Sequence, residues 1–339
     1  MGMVAGMVWF DWGEGATGMA SDESKRDDAE RDDANTFTLR SIVTGPIAEM
    51  SLLRQSLLFA ELSYISYMSR GEAGVFANEM GLDDVRYYDR DGAQAYVFGS
   101  EHDAIVVCRG TEPHEWNDIQ ADLDAVSAVA ETVGHVHRGF KREVDDLWPR
   151  LEQALLSNER PLWFAGHSLG GAMAAICAGR CKLSHIPSNP SGLFTYGAPR
   201  VGDHRYVNYV RMDYYRWVNN NDIVPRVPPR WMGYRHAGKE IYLDNRGQVR
   251  NLHGWWRFRD RVRGFVKGLT RFRIDHFSDH NLVGYIEGIW RAIEQEEPVH
   301  DRENLAELRQ QRRASSVPYP HFVDHKQAKD HTAKAPKQG

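Results

Sequence analysis

Between Met50 and Tyr67 the apolar residues Leu52, Leu53, Leu57, Leu58, Leu62 and Ile65 recur at three- and four-residue steps, the spacing that puts side chains on one face of an α-helix. The period then shortens. Arg86-Tyr87-Tyr88 and Ala95-Tyr96-Val97-Phe98 flank Asp91-Gly92, a pair suited to a tight turn, so Val85 to Ser100 is predicted to be a hairpin. Ala104-Ile105-Val106-Val107-Cys108 is apolar throughout, as a short strand covered on both faces should be. Phe140 to Ser157 has helical spacing interrupted by Pro149, Pro161 to Phe164 is strand-like, and Ala172 to Lys182 is helical. Leu193 to Tyr196 and Tyr214 to Val218 complete the series. Strands alternating with helices predict an α/β architecture with a largely parallel central sheet and helices on both faces.

The two ends of the chain break this pattern. Residues 1–35 hold nine acids against three bases, an arm of charge −6 in a chain whose net charge is −5. Residues 296–339 are again polar, with four prolines. Both segments read as disordered or loosely attached, leaving 36–295 as the folded domain. A length of 339 residues suffices for a large core without disulfide or metal staples. The nearly balanced charge argues against a protein that coats nucleic acid. No run of eighteen apolar residues offers a transmembrane helix. The first residues lack a basic stretch, and Asp11 and Glu14 interrupt their apolar run, so no secretory signal is recognised. Gly6 stands where a myristoylation pattern needs Ser or Thr. The expected location is cytoplasmic, peripheral to a membrane at most. Cys108, Cys177 and Cys181, an odd set, are expected to be reduced core thiols.

The sharpest chemical feature is Gly166-His167-Ser168-Leu169-Gly170-Gly171, between a predicted strand and a predicted helix. A serine on such a turn needs a strained backbone, and small residues two before and two after it let strand and helix approach closely. The turn lifts the Ser168 hydroxyl above the sheet and leaves the Leu169 N–H at a helix start, where it can meet a developing oxyanion. A serine nucleophile needs a base to take its proton and an acid to orient that base. Asp222 follows the strand Tyr214–Val218 at its carboxyl end, where such sites lie; Asp203, Asp213 and Asp244 lack that placement. For the base, His276 and His280 both fit, in Asp275-His276-Phe277-Ser278-Asp279-His280 before a helical stretch. Thr111, after the strand Ala104–Cys108, can offer a second oxyanion donor.

Together these segments resemble the class 3 lipase family of α/β-hydrolases. The resemblance runs from about Met50 to Ile293. It rests on Cys108-Arg109-Gly110-Thr111, Glu115-Trp116-Asn117-Asp118-Ile119-Gln120-Ala121-Asp122-Leu123, Val136-His137-Arg138-Gly139-Phe140, the serine turn, Thr195-Tyr196-Gly197-Ala198-Pro199-Arg200-Val201-Gly202, Asn221-Asp222-Ile223-Val224-Pro225, and Asp279-His280 before Tyr285. It implies a serine esterase acting on triacylglycerols or partial acylglycerols, with Ser168, Asp222 and His280 as triad and Thr111 and Leu169 as oxyanion hole. It also implies a lid near Trp116 and no cofactor. Alternatives are a phospholipase A1 or lysophospholipase and, in another class, a catalytically silent membrane-binding protein on the same scaffold. The acidic arm, the long tail and the long stretch between Asp222 and His280 depart from the secreted fungal members.

That stretch, 250–273, sets Trp255, Trp256, Phe258, Val262 and Phe265 among eight bases, including Arg259 and Arg263, with Asp260 as its one acid. It reads as an amphipathic insertion. Either it contacts an anionic membrane surface or it is an ordinary packed helix with a solvated basic face. It contains no recognisable nucleic-acid reader. His135 and His137 share a strand face in this reading, but no third ligand is spaced to make a metal site.

Overall fold

The computed structural model describes residues 38–110, 126–131, 133–220, 222–244, 247–250 and 280–315, and the backbone of 323–324. The chain divides into two compact units, 1–39 and 40–339; of the first, residues 38 and 39 are described.

Helix α1 (Leu52–Ile65) begins where the Ser51 side chain accepts the Arg54 N–H, filling one of the donors that a helix start leaves unpaired. Helix α2 (Arg70–Glu79) opens on a reciprocal capping box between Ser69 and Glu72. The predicted hairpin is β1 (Asp84–Arg90) against β2 (Ala93–Gly99), its turn formed by Asp91 and Gly92 at φ +50° and +95°. Next come β3 (Ala104–Cys108), a small hairpin of β4 (Ser127–Val129) and β5 (His135–His137), and α3 (Arg138–Leu155), which contains Pro149. Then β6 (Leu162–His167) leads into α4 (Leu169–Cys181), followed by β7 (Pro190–Tyr196), α5 (His204–Tyr209) and β8 (Tyr214–Asn219). The series closes with β9 (Lys239–Leu243), β10 (Val249–Arg250), α6 (Leu282–Glu296), α7 (Val299–Ser315) and β11 (Val323–Asp324).

Among the described residues the main sheet runs β10-β9-β8-β7-β6-β3-β2-β1-β11. Strands β3, β6, β7, β8 and β9 are mutually parallel in chain order, so their carboxyl ends share one rim. This is an α/β-hydrolase fold. Side-chain alternation divides the strands between two faces. Val97, Val106, Phe164 and Leu193 join the core beneath α3 and α4. On the other face the Phe59 ring of α1 lies 5.6 Å from Trp163 and 4.5 Å from Phe194, while Tyr285 of α6 meets Tyr196 at 6.2 Å. The three cysteines are free and buried, as expected. No helix among the described residues is long and apolar enough to cross a membrane.

Residues 299–315 lie in the segment after residue 296 that was expected to be a loosely attached tail. They form helix α7, with no buried residue, and charge rather than apolar surface holds it to α2. Arg309 and Arg313 reach the buried Glu79 at 3.8 and 3.3 Å, and the Arg312 guanidinium donates to the Asn78 carbonyl at 2.9 Å and to Asp83 at 2.5 Å. Apolar periodicity could not reveal an element that docks this way. Past it, β11 adds to the free side of β1 in parallel, Arg86 opposite Val323 and Tyr87 opposite Asp324.

Phe194 sits at the centre of an aromatic group, 4.5 Å from Phe59, 5.0 Å from Tyr215 and 6.4 Å from Trp163. Replacing it by Ala removes a fully buried ring, and urea unfolding should register a loss of about 3–5 kcal/mol. A loss below about 1 kcal/mol would mean that this face is not closed as described.

Candidate active site

Ser168 stands between β6 and α4 with φ +57° and ψ −129°, a conformation that strains any residue with a Cβ. Two bonds fix it: the Ser168 N–H donates to the Tyr196 carbonyl at 2.9 Å, and the Ser168 carbonyl accepts the Gly171 N–H at 3.0 Å. The flanking glycines are steric requirements. A Cβ on Gly166 would lie 2.4 Å from the Gly170 carbonyl oxygen, and one on Gly170 would lie 2.2 Å from that of Cys108. Side chains there would push strand and helix apart and drop the hydroxyl from the rim.

The rim gathers what the sequence placed far apart. His280 Nε2 lies 2.8 Å from Ser168 Oγ, and His280 Nδ1 lies 2.9 Å from Asp222 Oδ2. Asp222 has no exposed surface, and Ser168 and His280 are 2% and 3% exposed, so the chain of bonds is sheltered from water. A buried carboxylate needs several donors to remain an anion. Asp222 Oδ1 accepts the Val224 N–H at 2.9 Å, and Oδ2 also accepts the Tyr285 hydroxyl at 2.5 Å. Tyr285 is itself held by the Asn219 N–H at 3.0 Å. With its carboxylate thus anchored, the imidazole is oriented with Nδ1 donating and Nε2 free to accept from serine.

A second histidine supports the first. His167 Nε2 donates to the His280 carbonyl at 2.9 Å, the two rings lie 4.6 Å apart, and the Tyr67 hydroxyl is 3.2 Å from His167 Nδ1. Burial, reinforced by the neighbouring His280, holds His167 well below the usual histidine range. It is therefore a neutral donor that fixes the His280 backbone without adding a like charge beside the ring. Gly197, at the end of β7 with φ +59°, completes the wall: a Cβ there would lie 2.7 Å from Asp222 Oδ2 and 2.9 Å from His280 Nδ1.

Of the residues singled out from sequence, the structure brings Ser168, Asp222 and His280 together and puts the Leu169 N–H at the first turn of α4, where helices leave donors unpaired. Thr111, the lid residue Trp116, the competing His276, and Trp255, Trp256, Phe258, Arg259 and Arg263 lie outside the described residues. The rival acids are engaged elsewhere. Asp203 caps α5 and accepts from His135 at 3.1 Å, Asp244 pairs with Arg250 at 3.1 Å, and Asp213 precedes β8, at the end remote from the rim. His135 and His137 part company: His135 pairs with Asp203 at 3.2 Å, while His137 is buried 4.2 Å from the Phe140 ring, its two nitrogens without a hydrogen-bond partner among the described residues. Sequence reading assigned no role to Tyr67, His167, Gly197 or Tyr285. The available signal was positional, since Gly197 ends a parallel strand and Tyr285 follows His280 by little more than one helical turn.

Residues 105–232 match the profile of the family described as Lipase (class 3). The toxin TseL of Vibrio cholerae is 32% identical over 191 residues, which are 43% of this chain and 30% of that one. A lipase of Rhizomucor miehei is 36% identical over 157 residues, 42% of each chain. A secreted mono- and diacylglycerol lipase of Fusarium solani is 35% identical over 117 residues, 32% of this chain and 34% of that one. The chain thus spans less than half the length of these relatives. Among solved structures, the triacylglyceride lipase of Rhizomucor miehei has 29% identity and a TM-score of 0.43, covering 48% of this chain and 67% of the other.

Two outcomes follow from the site. Gly197→Ala should prise Asp222 from His280 and abolish the far-downfield proton resonance of the bond between them, read by NMR; an unchanged resonance would show that the pair tolerates the intrusion. The second concerns acid. Burial holds His137 down at about 4, and holds His167 and His236 well below the ordinary value near 6.5. The unfolded chain takes up these protons near 6.5 while the folded one refuses them, so stability is full above that pH and falls as pH drops toward the folded values. Each ring contributes up to about 1.4 kcal/mol per pH unit. Urea melts between pH 7.5 and 5 should show the decline, and His137→Gln should flatten it by one ring's share; an unaltered slope would refute that assignment.

Proposed function

We propose that this chain, whose residues 105–232 match the class 3 lipase profile, is a serine hydrolase that cleaves carboxylic esters of lipids, triacylglycerols or partial acylglycerols. The observation that carries this reading is the continuous chain Ser168–His280–Asp222, with bonds of 2.8 and 2.9 Å. A serine hydroxyl is inert until its proton has somewhere to go, and here His280 Nε2 receives it as Oγ attacks the ester carbonyl. The imidazolium that forms is held by Asp222, whose own charge is secured by Val224 and Tyr285. Negative charge on the carbonyl oxygen is met by the Leu169 N–H at the start of α4, with Thr111 as the second donor. His280 then protonates the departing alcohol, and an acyl group remains on Ser168. Water, deprotonated by the same ring, attacks the acyl-enzyme and restores the serine.

His167 and Tyr67 enter as positioning residues, because His167 bonds the His280 carbonyl and Tyr67 bonds His167 in turn, neither touching reacting atoms. The acylglycerol choice draws on the relatives, one of which is named a lipase and another a mono- and diacylglycerol lipase.

Covalent labelling with a fluorophosphonate should modify the protein at Ser168, and Ser168→Ala should lose both the adduct and at least about a thousandfold of ester hydrolysis. An equal adduct in Ser168→Ala, or none in either protein, defeats the proposal. A substrate panel of triacylglycerol, monoacylglycerol and phospholipid should give turnover on the acylglycerols; turnover on phospholipid alone would reassign the headgroup.

A further inference from the structure

Nine residues after Asp222, a tight turn presents Trp231 with 83% of its surface exposed. Beside it Met232 is 38% exposed, and Arg230 points into solvent. The turn is firmly built. The Met232 and Gly233 N–H groups donate to the Pro229 and Arg230 carbonyls at 3.1 Å each, and Gly233 takes the left-handed conformation at φ +91°. The Arg235 N–H donates to the Gly202 carbonyl at 2.8 Å, and its guanidinium donates to the Arg230 and Tyr234 carbonyls at 2.7 and 2.8 Å. From the other side, the Arg200 N–H donates to the Val227 carbonyl at 2.7 Å and its guanidinium to the Pro228 carbonyl at 2.9 Å. His236 ties the base of the turn to the segment that holds Asp222, donating to the Pro225 carbonyl at 2.7 Å. These bonds hold the backbone of the turn, and on it the indole stands largely in water.

Charge gives the turn a direction. Arg200, Arg216, Arg230 and Arg235 stand close enough that, after burial, the other three push Arg200 down to about 10. Among the described residues Glu240 answers them, 3.5 Å from Arg216. Cations gathered around an exposed indole match a surface that offers anionic groups and an apolar boundary a few ångströms below them, which a bilayer does.

We propose that this turn is a lipid-docking element in which Trp231 enters the headgroup boundary of an anionic bilayer while the exposed Arg230 meets lipid phosphates. The choice of a bilayer over another polyanion rests on the lipid-ester reading above. Val224, at the other end of the same segment, bonds Asp222, so the turn and the catalytic acid share one stretch of chain. In sequence the turn is distinct from the basic stretch 250–273.

The test uses full-length Ser168→Ala protein, so that no lipid is consumed, in sedimentation with phosphatidylcholine vesicles and with phosphatidylcholine–phosphatidylglycerol vesicles. The protein should partition onto the anionic vesicles and not onto phosphatidylcholine alone. Trp231→Ala and Arg230→Glu, each in that background, should lower the partition coefficient at least about fivefold, with circular dichroism and thermal midpoint unchanged. Equal binding by both variants overturns the assignment, as does retention on a DNA duplex without retention on vesicles. Fluorophosphonate labelling of the Ser168 parent separates the two readings. Labelling without vesicle binding sinks the docking element alone. Vesicle binding that depends on Trp231 without labelling sinks the hydrolase and leaves the docking element standing.

Discussion

A carboxylate with no exposed surface must be met by donors, and the arrangement of this molecule's rim can be traced to how Asp222 is met. Val224 is available because the chain turns immediately after the acid. Tyr285 is available because α6 packs across the face of the sheet that ends at Asn219, and the Asn219 amide fixes the phenol in turn. Only then does the remaining valence of Oδ2 fall to His280 Nδ1. The imidazole's orientation, and with it the acceptor offered to Ser168, is thus set by packing several residues away. Removing any one donor would leave buried charge short of a partner, which is costlier than losing a single surface hydrogen bond.

The other half of the site is steric. Parallel strands in chain order bring their carboxyl ends to one edge, and at that edge three successive strands deliver Gly110, Ser168 and Gly197. The serine is strained and the glycines are bare because β3, β6 and β7 lead into loops that touch one another. A side chain on Gly110 would approach the Tyr67 hydroxyl to 2.6 Å, the same hydroxyl that faces His167. Backbone proximity on one side and hydrogen bonding on the other therefore converge on the two histidines.

How much of this was legible beforehand depends on the range of the interaction. Periodicity gave α1, the β1–β2 hairpin and β3 nearly to the residue, because burial of alternate or every-third positions is a local record of packing. It started α4 three residues late, since glycines carry no hydropathic signal at the elbow, and it passed over β9, which is short and half exposed. Ser168 and Asp222 could be argued from placement at strand ends. His280 could not be separated from His276 by local pattern, and the resemblance chose it. Tyr285, His167 and Tyr67 were invisible as site residues because their roles exist only once α1, α6 and β6 are assembled. Helix α7 escaped for a different reason: its attachment to Glu79 and Asp83 is ionic, and charge pairing between distant segments leaves no period.

The short strand β11 has a consequence for how copies of this protein coexist. Without it, β1 would offer unpaired backbone N–H and carbonyl groups beside Arg86 and Tyr87 to any passing extended segment, the hazard every open sheet margin carries. By laying its own later residues along that margin, the chain occupies the place a stranger would take. At this point of the margin, pairing with another chain is discouraged by backbone already spoken for, independently of the charges that keep the surface wetted.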